Sequence, residues 1–541
     1  MEEQMIKPTI FLSVLFPLLA IGSVSAAEAK DRCTLEGIRG ISPTDSVIDS
    51  VRHVAAPVPH CEVLGHIMTN NPGPNRVGWS LMLPDDRFGG RFFFMGQGGG
   101  AGQTITAAAD SYGQGASTNK LLRNGFAVSS SDTGHSPKDG GLGSYDFGAN
   151  NPVRRLDYGH RGAHVSTVAA QTITRAYYAM EDKLYRYHMG CSGGGRMGMM
   201  AARHHPEDYD GIVASTVAKS GGALYFGIIL QHIVKNPENW VSPQKLAFLE
   251  RKVDEQCAGP DGLVRDPYGC GFNVDKLQCK GGDNEDCLTA AEISTVKLIT
   301  SRFKLGYGED ADVPGFSISN PTGWTSFLMG ETRPSSTNVD NPWAPAPPVP
   351  AFIVGRSIAR GMYFDNLAFD LINDLDFNDK KTLELLTERH PEWGVTDTNL
   401  SGYQKAGGKL IMWAPLSENA VPPASELEYH DAIKRDIPDA DNFVRTYAVP
   451  GVLHCLGGPG PQDTPERLLD AVIAWAEEGK RPDELVVSGG GAAPIIPSVQ
   501  GTTPPPPPIA RTVLICPHPQ QAVFNAREGA FPYTASNWAC K

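Results

Sequence analysis

The strand–helix–strand rhythm of this chain is interrupted once, and the interruption is domain-sized. Short apolar stretches at 91–95, 125–129, 184–189 and 209–215 read as buried strands. Between them, 162–182 carries Val165, Val168, Ala169, Ile173, Tyr177 and Met180 on one helical stripe, and a second helix is expected over 196–204, closed by Pro206. The rhythm stops near residue 219 and resumes near 408, with strands at 408–413 and 444–449 and helices over 424–435 and 465–478. Such alternation builds a parallel sheet covered by helices, so the fold class is α/β. The sheet is divided between 27–218 and 408–487, and the stretch 219–407 is long enough to be a domain of its own. Glycines at 489–491 and prolines at 504–508 mark a linker over 488–508, which leaves a tail, 509–541.

The chain start and the cysteines point to one compartment. Residues 1–26 read as an export signal: Lys7 precedes an apolar run over 10–21, and Val24-Ser25-Ala26 suits cleavage. The run is short against the ~20 residues a membrane span needs, so an uncleaved anchor is the weaker reading. All ten cysteines follow the signal, an even number that suits a complete disulfide set in a secreted or periplasmic protein. Cys257, Cys270, Cys279 and Cys287 crowd one stretch, but without a CxxC pair or a histidine among them, which favours disulfides over zinc. Cys516 and Cys540 would pin the tail. A net charge of −13 with no basic run repels nucleic acid and acidic membranes, so neither is an expected partner. With 41% apolar residues the chain can fill a large core, which excludes a disordered protein.

Gly190-Cys191-Ser192-Gly193-Gly194 fits G-x-S-x-G, a common pattern in a chain with 59 glycines. Its context gives it weight. It lies between an expected strand and an expected helix, where a sharp turn lifts a serine to the top of a sheet and aims helix N–H groups at a developing oxyanion. A serine nucleophile needs a base, and the base an orienting acid, in the chain order Ser, acid, His. Glu418 is the carboxylate of the loop after the strand at 408–413, and His454 lies in the loop after the strand at 444–449. Cys191 precedes the serine and Cys455 follows the histidine; a bond between them would clamp nucleophile to base, the alternative being that each pairs elsewhere or stays a buried thiol.

These motifs, with Asp132-Thr-Gly-His135, Leu156-Asp157-Tyr-Gly-His-Arg161, His205-Pro206-Glu207-Asp208-Tyr209-Asp210 and Cys516-Pro-His-Pro, resemble the tannase and feruloyl esterase family of secreted serine esterases. The resemblance covers nearly all of the mature chain. It implies an α/β-hydrolase sheet with Ser192 as nucleophile, His454 as base, a Cys191–Cys455 bond, and 219–407 as a lid domain over an aromatic acyl pocket. It also implies an aspartate-rich calcium loop after the first cysteine of the lid. The chain departs from the family pattern in three places. Glu418 stands where an Asp is usual, Gly193 where a larger residue is common, and the loop at 257–266 is shorter and poorer in carboxylates. Calcium takes about six to eight oxygens; Asp261 and Asp266, with Asp254, supply part of such a set. The chemistry itself requires no cofactor.

Gly96-Gln97-Gly98-Gly99-Gly100-Ala101 matches a dinucleotide fingerprint, but no amphipathic helix and no acid-ended strand follow. Bare backbone near a reacting carbonyl is the better reading, with the N–H of Gly193 and that of Gly99 (or Gly98) forming an oxyanion hole. Trp324, Phe327, Tyr363 and Phe364 are the aromatics available to an acyl pocket. The expected activity is hydrolysis of small esters of aromatic acids. A serine acyltransferase or peptidase with the same triad, or a binding protein on this scaffold, are the alternatives.

Overall fold

The computed structural model describes residues 32–541 apart from 107–116, 142, 217–222, 307–311, 336–337, 490–510 and 528. The expected export signal and nearly all of the expected linker lie outside the described residues. Nine strands form one sheet: β1 (Ser46–Val54), β2 (His60–Thr69), β3 (Asn75–Pro84), β4 (Arg91–Met95), β5 (Phe126–Ser131), β6 (Tyr185–Cys191), β7 (Gly211–Ser215), β8 (Lys409–Pro415) and β9 (Val444–Val449). Their order is β1-β2-β3-β5-β4-β6-β7-β8-β9, antiparallel as far as β5 and parallel from there on.

The parallel strands fall within two residues of their expected bounds, because strands buried on both faces read as apolar runs. Side chains alternate between the faces. Phe92, Phe94, Ala127, Ile212 and Met412 pack with Ile173, Tyr177, Met199 and Ala202 on one side. Phe93, Met95, Val128, Val213 and Ile411 pack with Leu468, Val472 and Trp475 on the other. The three N-terminal strands are a finding of the structure. β1 is an edge strand with most of its residues exposed, so it lacks the apolar run that marks the others.

Between Ser215 and Lys409 the described helices are joined by long loops and carry an apolar cluster that includes Leu230, Leu249, Ile299, Phe352 and Leu386. Tyr145, Phe147, Tyr158 and Ala420, all outside that insertion, belong to the same cluster, so the insertion is seated on the loops of the sheet. Cys191 stands opposite Ser215, Ser215 opposite Trp413, and Trp413 opposite Tyr447. This register makes β6, β8 and β9 release their following loops at one edge. Five disulfides, Cys33–Cys61, Cys191–Cys455, Cys257–Cys270, Cys279–Cys287 and Cys516–Cys540, use all ten cysteines.

Candidate active site

β6 ends at Cys191 and the helix Gly193–His204 begins two residues on, so the chain turns within Ser192. Ser192 adopts φ 57° and ψ −128°, a strained conformation for a residue with a side chain. Its N–H donates to Ser215 O at 2.9 Å and to Thr216 Oγ1 at 3.1 Å, which pins the turn to β7 and the residue after it. A Cβ on Gly190 would lie 2.4 Å from the Gly194 carbonyl carbon, so the strand and helix cross only because this residue is glycine. Beneath the turn, burial lowers the His188 pKa to about 4, and the neutral ring donates from Nε2 to Gly194 O at 2.9 Å.

The loops that carry Glu418 and His454 meet above the same edge. Glu418 is 1% exposed, and its Oε1 accepts from His454 Nδ1 at 2.7 Å and from the N–H groups of Ala420 and Val421 at 2.8 and 3.2 Å. The bond through Nδ1 orients the His454 ring and leaves Nε2 as its second nitrogen. The Cys191–Cys455 disulfide, with Cα atoms 5.8 Å apart, joins the residue before Ser192 to the residue after His454.

Gly99 and Gly193 adjoin. A Cβ on Gly193 would sit 2.2 Å from Gly99 O and 3.0 Å from Gly99 N, so a larger residue at 193 would displace the glycine loop. Gly99 has φ +57°, and its carbonyl accepts from Tyr158 Oη at 3.1 Å. The Arg196 guanidinium stacks 3.9 Å from the centre of the Tyr158 ring and donates to Tyr158 O and Gly159 O at 2.7 and 2.8 Å. Tyr158 and Arg196 therefore brace the glycine loop from behind, a role the sequence reading missed although Tyr158 lies in a quoted motif and Arg196 opens an expected helix. Asn419, beside Glu418, is a second omission, since an asparagine in a loop carries no distinguishing pattern.

The aromatic residues expected in an acyl pocket lie in different surroundings. Phe327 places its ring centre 6.1 Å from that of His454. Trp324 is 1% exposed within the apolar cluster of the insertion. Tyr363 is fully buried in that cluster and bonds His390 Nδ1 through Oη at 2.7 Å. Phe364 stacks on Phe369 with ring centres 4.1 Å apart.

The residues expected at a calcium site do not fit one. Both oxygens of Asp261 are held at 2.7 Å by the fork of Arg265, which itself lies 3.7 Å from the ring centre of Trp538. Asp261 O accepts from Arg511 at 3.3 Å, and Asp266 Oδ1 accepts from Gly269 N at 2.8 Å. A guanidinium thus already neutralises the carboxylate on which such a site would centre. Cys279, Asp283 and Cys287 also converge, but the two cysteines are bonded to each other and Asp283 pairs with Lys245.

A strained Ser at a strand-to-helix turn, with acid and His in the next loops of a mostly parallel sheet, defines an α/β-hydrolase. A family model described as tannase and feruloyl esterase matches residues 61–540. Mono(2-hydroxyethyl) terephthalate hydrolase of Piscinibacter sakaiensis is 30% identical, over 90% of this chain and 85% of that protein. Feruloyl esterase B of Aspergillus niger is 25% identical over 80% of each chain. In fold, the crystal structure of feruloyl esterase B from Aspergillus oryzae matches with a TM-score of 0.76 at 19% identity, covering 95% of this chain and 100% of that one. The chain belongs to the tannase and feruloyl esterase family and is a carboxylic ester hydrolase.

Proposed function

We propose that the chain hydrolyses small esters of aromatic acids through an acyl-enzyme on Ser192, with His454 as general base and Glu418 as its orienting acid. His454 Nε2 takes the proton of Ser192 as Oγ adds to the ester carbonyl. The N–H groups of Gly193 and Gly99 hold the oxyanion. The C–O bond to the alcohol then breaks, and His454 gives its proton to the departing oxygen. Water repeats the two steps against the acyl-enzyme, which releases the aromatic acid and restores the serine. The observation that carries this reading is the 2.7 Å Glu418–His454 bond, tied by the Cys191–Cys455 disulfide to the turn that holds Ser192.

Residues 219–407 act in this reading as a lid, with Phe327 facing the acyl group. The names of the relatives support an aromatic acid: one is called a terephthalate monoester hydrolase, another a feruloyl esterase. Gallate, ferulate, chlorogenate and terephthalate monoesters are the substrates to assay. Residues 1–26 direct the chain to an oxidising compartment, in keeping with its five disulfides. Ser192→Ala should lower kcat on an aromatic ester by a factor on the order of 10⁴ or more with the unfolding midpoint retained. Wild-type turnover by that variant would remove Ser192 from the mechanism.

A further inference from the structure

The loop that carries the acid is bonded along its length to the insertion. Ser319 Oγ donates to Leu416 O at 2.7 Å and meets Ser417 Oγ at 3.1 Å, and Tyr225 Oη donates to Ala420 O at 2.7 Å. One side chain in this loop reaches both ways. Asn419, 5% exposed, donates from Nδ2 to Gly323 O at 2.7 Å and to Ser326 Oγ at 2.9 Å, while its Oδ1 accepts from the backbone N–H of His454 at 3.3 Å. The insertion comes unusually close here, since a Cβ on Gly323 would lie 2.7 Å from Leu453 Cδ2. Ser326 is followed by Phe327, whose ring centre lies 6.1 Å from that of His454.

A planar amide presents two N–H donors on one side and a carbonyl oxygen on the other. All three directions are used, so the group cannot flip without breaking its contacts. Neither Asp, which has no donor when ionised, nor Leu, which has neither function, reproduces the set. We propose that Asn419 is a positioning residue that couples the seating of the insertion segment 323–327 to the placement of His454. The inference rests on the reading of His454 as the base and adds a route by which the acyl group is sensed. An aromatic acyl group packed on Phe327 settles the segment 323–327, Asn419 transmits that position to the His454 backbone, and the imidazole is then held for proton transfer. An acetyl group, too short to pack on Phe327, draws less on the coupling. Small displacements matter because a misplacement of about 1 Å costs on the order of 10²-fold in rate.

The test is a double-mutant cycle of Asn419→Ala and Ser326→Ala, with kcat and KM measured on a hydroxycinnamate ester and on an acetate ester sharing the same alcohol. The ratio of kcat/KM, aromatic over acetyl, should fall about tenfold in Asn419→Ala and about threefold in Ser326→Ala, the size expected when one or two hydrogen bonds are lost. The loss on the aromatic ester should lie mainly in kcat, and the double variant should be no worse than Asn419→Ala. Equal losses on both esters, as a purely structural role would give, overturn the proposal, as do single effects that multiply in the double variant. If Asn419→Ala does not fold, Ser326→Ala decides alone, and an unchanged ratio there overturns the coupling. Labelling by an organophosphonate on the same samples separates the two readings. A wild-type chain that is not labelled at Ser192 sinks the serine mechanism, whereas labelled variants with wild-type ratios sink only the role of Asn419.

Discussion

At the scale of single residues, the site depends on what glycine lacks. Gly193 and Gly99 approach so closely that a methyl group at 193 would overlap Gly99 O, 2.2 Å from the Cβ position. Gly193→Ala should therefore push the glycine loop aside and misdirect one oxyanion donor. A fall of kcat by about 10²- to 10³-fold is expected, the effect of losing such a donor. Steady-state kinetics of a folded variant checks this, and a wild-type kcat would show that the two glycines are not part of the machinery. Glu418 illustrates the opposite case, a longer side chain accommodated. Its extra methylene is taken up because the carboxylate folds back onto the N–H groups of Ala420 and Val421 and still reaches Nδ1 of His454.

At the scale of elements, the turn after β6 and the loop after β9 belong to segments 264 residues apart that are joined by one disulfide. Replacing Cys191 and Cys455 together by Ser leaves the sheet register intact but frees the two loops from each other. Catalytic groups must be held within about half an ångström, so kcat should fall about ten- to a hundredfold. Kinetics of the double variant, alongside its unfolding midpoint, decides the matter, and an unchanged kcat would reduce the bond to a stabilising link. The loop 257–270 carries a different cross-link. Its Asp261–Arg265 pair lies against Trp538 of the C-terminal segment, which ties this loop to the tail.

At the scale of the whole molecule, buried histidines set the response to acid. Burial holds His135, His188, His390 and His430 neutral, with pKa values lowered to about 4. His160 and His205, whose ring nitrogens lie 3.0 Å apart, are lowered to about 4 and about 3, by burial first and by neighbouring histidines second. An unfolded chain protonates the same rings near ~6.5. It therefore binds more protons than the folded chain as pH falls from about 6.5 toward 4, and stability is lost across that window. Asp132 and Asp254 act in the opposite sense: burial raises their carboxyls to about 7 and about 6, so their contributions are lost as pH rises toward those values. The six histidines outnumber the two aspartates with comparably large shifts, and the thermal midpoint should drop between pH 6.5 and 4.5. A midpoint that is flat or rises on acidification would contradict this account.

What the amino-acid order determined by itself is local or periodic. The parallel strands, the glycine-flanked serine between strand and helix, and the loops carrying Glu418 and His454 are legible because buried strands, amphipathic helices and tight turns leave short-range patterns. The even cysteine count pointed to disulfides and the family resemblance implied Cys191–Cys455, but the pairing of the other eight cysteines requires the fold. Only the tertiary structure decided that β1–β3 extend the sheet, that Arg265 occupies the carboxylate of Asp261, that Tyr158 supports Gly99, and that Asn419 bridges Gly323 to His454. Each of these is a contact between residues whose own neighbours in sequence carry no sign of the partner. Their meeting depends on how loops close in three dimensions, which no window along the chain encodes.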